Sequence, residues 1–323
     1  MILVCGEAVL DMLRAPAGDR PGAPMFAATP GGSPANTAVA LSRLGSETAL
    51  CARLSSSSLG AILRDHLASN RVDLRYCVEA AEPASLAFVD LDTSGAAVYS
   101  FYVDGAADWQ WSAGELPAAL PASVQVLHTG SIAAARDPGR RAILDWIARE
   151  GLGRMVSYDP NVRTALVGPR ESARPAVEEM VASADLVKAS DEDVAWLYPD
   201  TPPGDVVRRW QDLGASVIVV TKGPAGAAGY VRDGEVRCAA VAVDVVDTVG
   251  AGDTFAAGLL HYLVRAELAG DVRDGRLTAG HLGEALRYAG AASSVTCSRA
   301  GADPPSGVEV DAVLAASSRR APA

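Results

Sequence analysis

Short apolar runs alternate with amphipathic helical stretches along most of the chain, and this rhythm restricts the fold more than any other feature. Residues 2–5, 48–52, 124–129, 155–159, 185–188 and 217–221 are apolar with few polar interruptions. Strands buried on both faces read this way. Between them, residues 36–44, 59–69, 139–149, 172–182 and 205–213 carry apolar side chains at helical spacing. Repeated βαβ units build a largely parallel sheet with helices on both faces, so a doubly wound α/β fold is expected over residues 1–323. No G-x-x-x-x-G-K-[ST] string is present, which argues against a P-loop nucleotidase.

Two regions break the rhythm. Residues 85–90 and 96–103 read as extended segments around the turn Asp92-Thr93-Ser94-Gly95, a hairpin by its turn chemistry. Residues 10–26 are Pro/Gly-rich and not helical. Together the two regions predict a small β-sheet over one end of the main sheet, serving as a lid, a dimer contact or both. An edge exposing Val98 and Phe101 offers a pairing surface for a homodimer. A second hairpin, residues 226–231 with 235–241, is expected to extend the main sheet.

Composition narrows the partners. With 49% hydrophobic and 21% charged residues, a globular chain with a substantial core is expected. Apolar stretches stop short of membrane-spanning length, so no membrane partner is expected. Residues 1–4 lack the basic start of a signal peptide and read as part of a buried strand. The five cysteines are scattered without a C-x-x-C pair, which fits a reduced, cytoplasmic protein without a zinc site. A net charge of −11 and no basic stripe argue against nucleic acid. A nucleotide remains allowed, because a phosphate site needs only local donors.

The chemistry concentrates in Val246-Asp247-Thr248-Val249-Gly250-Ala251-Gly252-Asp253 and the apolar run that follows. The glycines permit a tight turn into a helix start, where unpaired N–H groups and the helix dipole favour an anion. Asp253 at its mouth suits a base taking a proton from a hydroxyl that attacks a bound phosphoryl group. A plain helix cap is the alternative reading.

Three other segments carry candidate binding groups. In Gly31-Gly32-Ser33-Pro34-Ala35-Asn36, Ser33 reads as the N-cap, Pro34 as the first helical residue and Gly45 as the terminator. The glycine pair allows a ligand near the backbone, and Asn36 offers a donor and an acceptor for sugar hydroxyls. Asp11 leaves the first strand either as a turn former or as an acceptor for a polyol. Arg163, in Asp159-Pro160-Asn161-Val162-Arg163, either clamps an anionic oxygen or pairs with Asp159.

The strings DTVGAGDTF and GGSPANTAVALSRLG resemble the two signatures of the ribokinase-like (PfkB) family of sugar and nucleoside kinases, and the resemblance runs from Gly6 to Pro305. It implies transfer of the γ-phosphoryl of ATP to a primary hydroxyl of a free sugar beneath a β lid, residues 10–30 and 85–108. Asp253 would be the base, with the N–H groups of Gly250, Ala251 and Gly252 stabilising charge on the phosphoryl group. Asp11, Gly31, Gly32, Asn36, Arg163 and Asp253 would bind the sugar. Lys188, Ser190, Thr221, Lys222, Gly223, Gly226, Gly250 and Gly252 would bind the nucleotide. Small residues over 289–296 would admit the adenine.

Ser190 and Asp193 stand where many relatives have Asn-x-x-Glu, which implies Mg²⁺ reached by Asp193 through water; a helix cap explains Ser190 equally well. Asp247 and Val249 match the loop that holds a monovalent cation such as K⁺ in several relatives. The strings GEAVLDML, GGSPAN and SYDPNVR look most like fructose-phosphorylating members. 2-Keto-3-deoxygluconate and ribose are the alternatives; a nucleoside would need an aromatic-lined pocket, and only Phe26, Tyr99, Phe101 and Tyr102 are at hand for one. A non-catalytic sugar-binding protein on the same fold is the rival outside enzymes. A nicotinamide-dependent oxidoreductase is disfavoured, because Phe255 stands where its dinucleotide turn needs glycine.

Overall fold

The computed structural model describes residues 1–15, 24–91, 97–112 and 114–320. An eight-stranded sheet runs, edge to edge, through Gly234–Cys238, Ala227–Val231, Val217–Thr221, Leu186–Ser190, Met155–Asp159, Val126–Gly130, Ile2–Cys5 and Thr48–Cys51. Neighbours from Val217–Thr221 through Thr48–Cys51 are parallel, and the two remaining strands add as an antiparallel hairpin. Two strands reach further than their apolar runs suggest, ending at Gly130 and Ser190. Each end residue is held by register, Gly130 opposite Asp159 and Ser190 opposite Thr221, because backbone pairing does not require an apolar side chain.

Side-chain alternation divides the core in two. Ile2 and Val4 point into a layer shared with Leu259, Leu260 and Leu263 of the Ala251–Arg265 helix. Leu3 and Cys5 point the other way, toward Ile143, Trp146 and Trp210. All four are fully buried, which explains why the run shows no polar alternation. Each large aliphatic side chain buried this way contributes about 1.5–3 kcal/mol.

Strand order also places the ligand crevice. From Ile2–Cys5 the chain goes outward to Thr48–Cys51, then returns to the opposite side of Ile2–Cys5 at Val126–Gly130. The crevice beyond the carboxyl ends of those two strands is therefore a topological switch point.

A separate four-stranded sheet, ordered Met25–Gly31, Val9–Ala15, Leu86–Leu91 and Ala97–Tyr102, projects from this end. Residues 10–15 and 25–26 of the 10–26 region lie in its strands, with Val9 opposite Gly31 and Ala15 opposite Met25, while 16–23 fall outside the described residues. The hairpin expected over residues 85–90 and 96–103 pairs Leu86 with Tyr102. Its turn Asp92–Gly95 and the Val98 side chain lie outside the described residues. No described helix is long and apolar enough to cross a membrane.

Candidate active site

A cavity of about 760 Å³ opens at the switch point, lined by Glu7, Asp11, Asn36, Arg163, Gly252 and Asp253 among others. Tyr99 and Phe101, stacked at 5.9 Å, reach it from the small sheet. A second, largely apolar cavity of about 560 Å³ is lined by Thr221, Gly223, Gly226, Phe255, Gly290 and Cys297 among others. The two cavities share Thr248 and Gly252, so the glycine turn forms their common wall.

Gly250 caps the Ala251–Arg265 helix in a left-handed conformation, φ 73°. A Cβ there would lie 2.6 Å from Ala302 Cβ, so the turn needs glycine for its dihedral and for the loop pressed against it. The Ala251 N–H donates to Thr248 O at 3.2 Å, which corrects the expectation that all three turn amides are free. The Gly250 and Gly252 N–H groups have no backbone acceptor among the described residues. Together with the helix dipole they can still receive an anion.

Asp253 lies in the first turn of this helix, 8% exposed, at the edge of the polar cavity. Its Oδ1 accepts from Ser33 Oγ at 2.7 Å and its Oδ2 from Asn36 Nδ2 at 2.9 Å. Ser33 is therefore not the N-cap. The cap is Gly32, at φ 95° without a side-chain bond, and the Ser33 hydroxyl is spent on Asp253.

The glycine pair has two distinct reasons. A Cβ on Gly31 would lie 2.5 Å from Asp11 Oδ2, and one on Gly32 would lie 2.9 Å from Glu7 O and Val9 N. Gly32 lines the cavity; Gly31 does not, and its missing side chain makes room for the Asp11 carboxylate instead of a ligand. Burial pushes the Asp11 carboxyl up to about 6, with Arg163 pulling it down and Asp253 pushing it up. Arg163 donates to Asn161 Oδ1 at 2.6 Å, while Asp159 pairs with Lys188. The alternative pairing of Arg163 with Asp159 is thereby excluded.

Glu7 was not singled out from the sequence. Its carboxylate accepts from the Ile132 and Ala133 N–H groups at 3.4 and 3.0 Å, tying together the two strand exits that make the crevice. Burial raises it to about 7. A glutamate two residues past the apolar strand Ile2–Cys5 was the available signal.

Beneath the turn, Lys188 Nζ donates to Asp159 Oδ2 at 2.8 Å, and a Cβ on Gly252 would lie 3.3 Å from that ammonium. Ser190 and Asp193 form a reciprocal capping box, and Asp193 Oδ1 also accepts from Val162 N at 2.8 Å. Asp193 thus anchors the loop that carries Arg163. Lys188, Ser190, Asp193 and Lys222 line neither cavity.

The small residues over 289–296 divide their work. Ala289 and Ala292 fill the space left by the missing side chain of Gly258, with Ala289 Cα 2.9 Å from the Cβ position. Gly290, Ser293 and Ser294 line the apolar cavity. Asp247 accepts from Val249 N at 3.0 Å and Gly301 N at 2.8 Å, tying the turn to the terminal loop. Among the described residues no group of three or more His, Cys, Asp and Glu converges as a metal site.

Residues 1–307 match the pfkB family carbohydrate kinase domain. The chain belongs to this carbohydrate kinase family. It is 38% identical over 260 residues to a fructokinase of Rhizobium leguminosarum bv. trifolii, covering 80% of this chain and 78% of that protein. The structure of fructokinase with bound ATP from Xylella fastidiosa superimposes with a TM-score of 0.90 at 27% identity, covering 98% of each chain. Fructokinase from Vibrio cholerae O395, in a fructose, ADP and calcium ion bound form, gives 0.81 at 27% identity, covering 97% of this chain and 98% of that one. As in other family members, the expected chemistry is phosphoryl transfer to an alcohol.

Proposed function

We propose that this kinase transfers the γ-phosphoryl group of ATP to a primary hydroxyl of free fructose. The observation that carries the reading is the position of Asp253 where the polar cavity meets the apolar one across Gly252. The polar cavity takes the sugar, with Asp11, Gly32, Asn36 and Arg163 as its hydroxyl partners. The apolar cavity takes the adenosine between Gly223, Gly226 and Gly290, which leaves the triphosphate directed at the glycine turn. Thr221 sits at the rim of the same cavity.

Asp253 accepts the proton of the attacking hydroxyl while the Gly250 and Gly252 N–H groups face the transferring phosphoryl oxygens. Lys188, held by Asp159 just behind Gly252, adds positive charge there from a nearly buried position. The small sheet, bringing Tyr99 and Phe101 over the sugar, serves as a lid that keeps water from the reaction.

The donor set suits a Mg²⁺ ion that keeps most of its water: Glu192 lines the sugar cavity, and Asp159 Oδ1 is buried without a hydrogen-bond partner. A bound ion would neutralise charge on the ATP phosphates. Asp193, with both oxygens on main-chain N–H groups, would reach it only through water. A monovalent cation would sit beside Asp247 and Val249, where the turn meets the terminal loop.

ADP release measured with fructose, ribose, 2-keto-3-deoxygluconate and nucleosides tests the reading. Fructose is expected to give the highest kcat/KM. Preference for ketodeoxygluconate or ribose would reassign the sugar, and no release with any would favour a non-catalytic sugar-binding protein.

A further inference from the structure

We infer that Ser33 is a positioning residue for the base: it fixes the rotation of the Asp253 carboxylate and leaves sugar affinity to its neighbours. The inference rests on the kinase reading above. A carboxylate attached through one rotatable bond needs two contacts to define its plane. Asn36 supplies one to Oδ2 and Ser33 the other to Oδ1, at 2.9 and 2.7 Å. Both donors come from the first turns of the Ser33–Leu44 helix, whose start is locked in place by Pro34. The Pro34 ring occupies the space where a Cβ on Gly6 would fall, 2.3 Å from its Cγ. The clamp is thus built on a rigid support.

The two donors differ in what they have left for a ligand. Asn36 retains a second N–H and its carbonyl oxygen, which suits it to hold a sugar hydroxyl as well. Ser33 lines the same cavity but has a single hydroxyl hydrogen, which it donates to Asp253, so toward a ligand it can only accept. It is 9% exposed and performs no capping that would explain a hydroxyl there. Each carboxylate oxygen holds one donor and keeps further acceptor capacity, and Asp253 lines the cavity. Alignment of this kind acts on the chemical step more than on ground-state binding.

Steady-state kinetics of Ser33→Ala, Ser33→Thr and Asp253→Asn, with the Ser33→Ala/Asp253→Asn pair, tests the assignment in the full chain. Ser33→Ala is expected to lower kcat for fructose about tenfold while the fructose KM stays within about twofold. Ser33→Thr, which keeps the hydroxyl, is expected to restore most of the loss. In the Asp253→Asn background, Ser33→Ala is expected to have no further effect, because its contribution runs through the carboxylate. A rise in KM at unchanged kcat would make Ser33 a sugar contact and overturn the proposal. So would an additive loss in the double variant. Absence of sugar phosphorylation in the unaltered chain would instead refute the kinase reading itself.

Discussion

Lys188 and Asp159 form an ion pair of 2.8 Å at the sheet's ligand end, with side chains only 6% and 2% exposed. Burial raises the Asp159 carboxyl to about 6 even against the pull of Lys188, with Asp193 and Asp253 adding to the rise. The pair puts a cation behind Gly252 that bulk water does not screen. Replacing Lys188 by Met strands a buried carboxylate. It should cost about 3–5 kcal/mol of stability. The Lys188→Met/Asp159→Leu double variant should recover much of it in urea unfolding.

Asp253→Asn keeps the shape of the site but removes the proton acceptor. Turnover with fructose should fall by roughly 10²–10⁴-fold, with fructose binding by calorimetry changed far less. Near-normal turnover in this variant would remove Asp253 from the mechanism.

Gly250→Ala tests the turn. The left-handed φ of 73° and the Ala302 Cβ 2.6 Å from the new methyl both oppose it. Left-handed geometry alone costs roughly 1–2 kcal/mol. The turn should shift, with kcat falling about 10²-fold as an amide donor leaves its position. An alanine variant with normal kcat and thermal midpoint would show that the turn is not under these constraints.

Gly290 faces the apolar cavity with open space where a Cβ would go. Gly290→Leu should raise the ATP KM at least about tenfold by filling that space, while the fructose KM holds. Stability should not fall, because glycine inside a helix is the poorer residue by roughly 0.5–1 kcal/mol. Equal effects on both substrates would move the adenine elsewhere.

Asp11 gives the pH dependence its sign. Sugar hydroxyls donate to its ionised form, so the fructose KM should rise as pH falls through about 6. Its effect on folding runs in a defined direction too. A carboxyl raised in the folded state favours folding most when protonated, so this contribution is present at low pH and fades as pH rises through about 6. Fructose titrations of the unaltered chain and Asp11→Asn between pH 5 and 8 check both points. The variant should bind weakly throughout and lose the KM trend.

Several elements were legible locally. Ile2–Cys5 had to be a two-sided buried strand, since its residues alternate between two apolar layers. The Gly250–Gly252 turn had to precede a helix, and its glycines meet real steric limits at Ala302 and Lys188. Asn36 and Asp253 were readable because each lies in the first turn of a helix at the same end of the sheet, whereas Asp11 lies inside the Val9–Ala15 strand of the small sheet and not in a turn after Ile2–Cys5. Asp193 was less so: a capping box that also holds Val162 N looks, in one dimension, like any acidic helix start.

Local sequence therefore dictated the strands, the turn and the residue types that face the crevice, because these depend on periodicity, dihedral freedom and neighbouring backbone groups. It could not dictate that the Ser33 hydroxyl would leave its own helix end for a carboxylate 220 residues away. Nor could it reveal that a lysine would lie beneath Gly252, or that a cavity of mixed lining and a largely apolar one would share one wall. Those outcomes follow from the docking of one helix start against another over the switch point. Only the packed core brings such distant groups within hydrogen-bond reach.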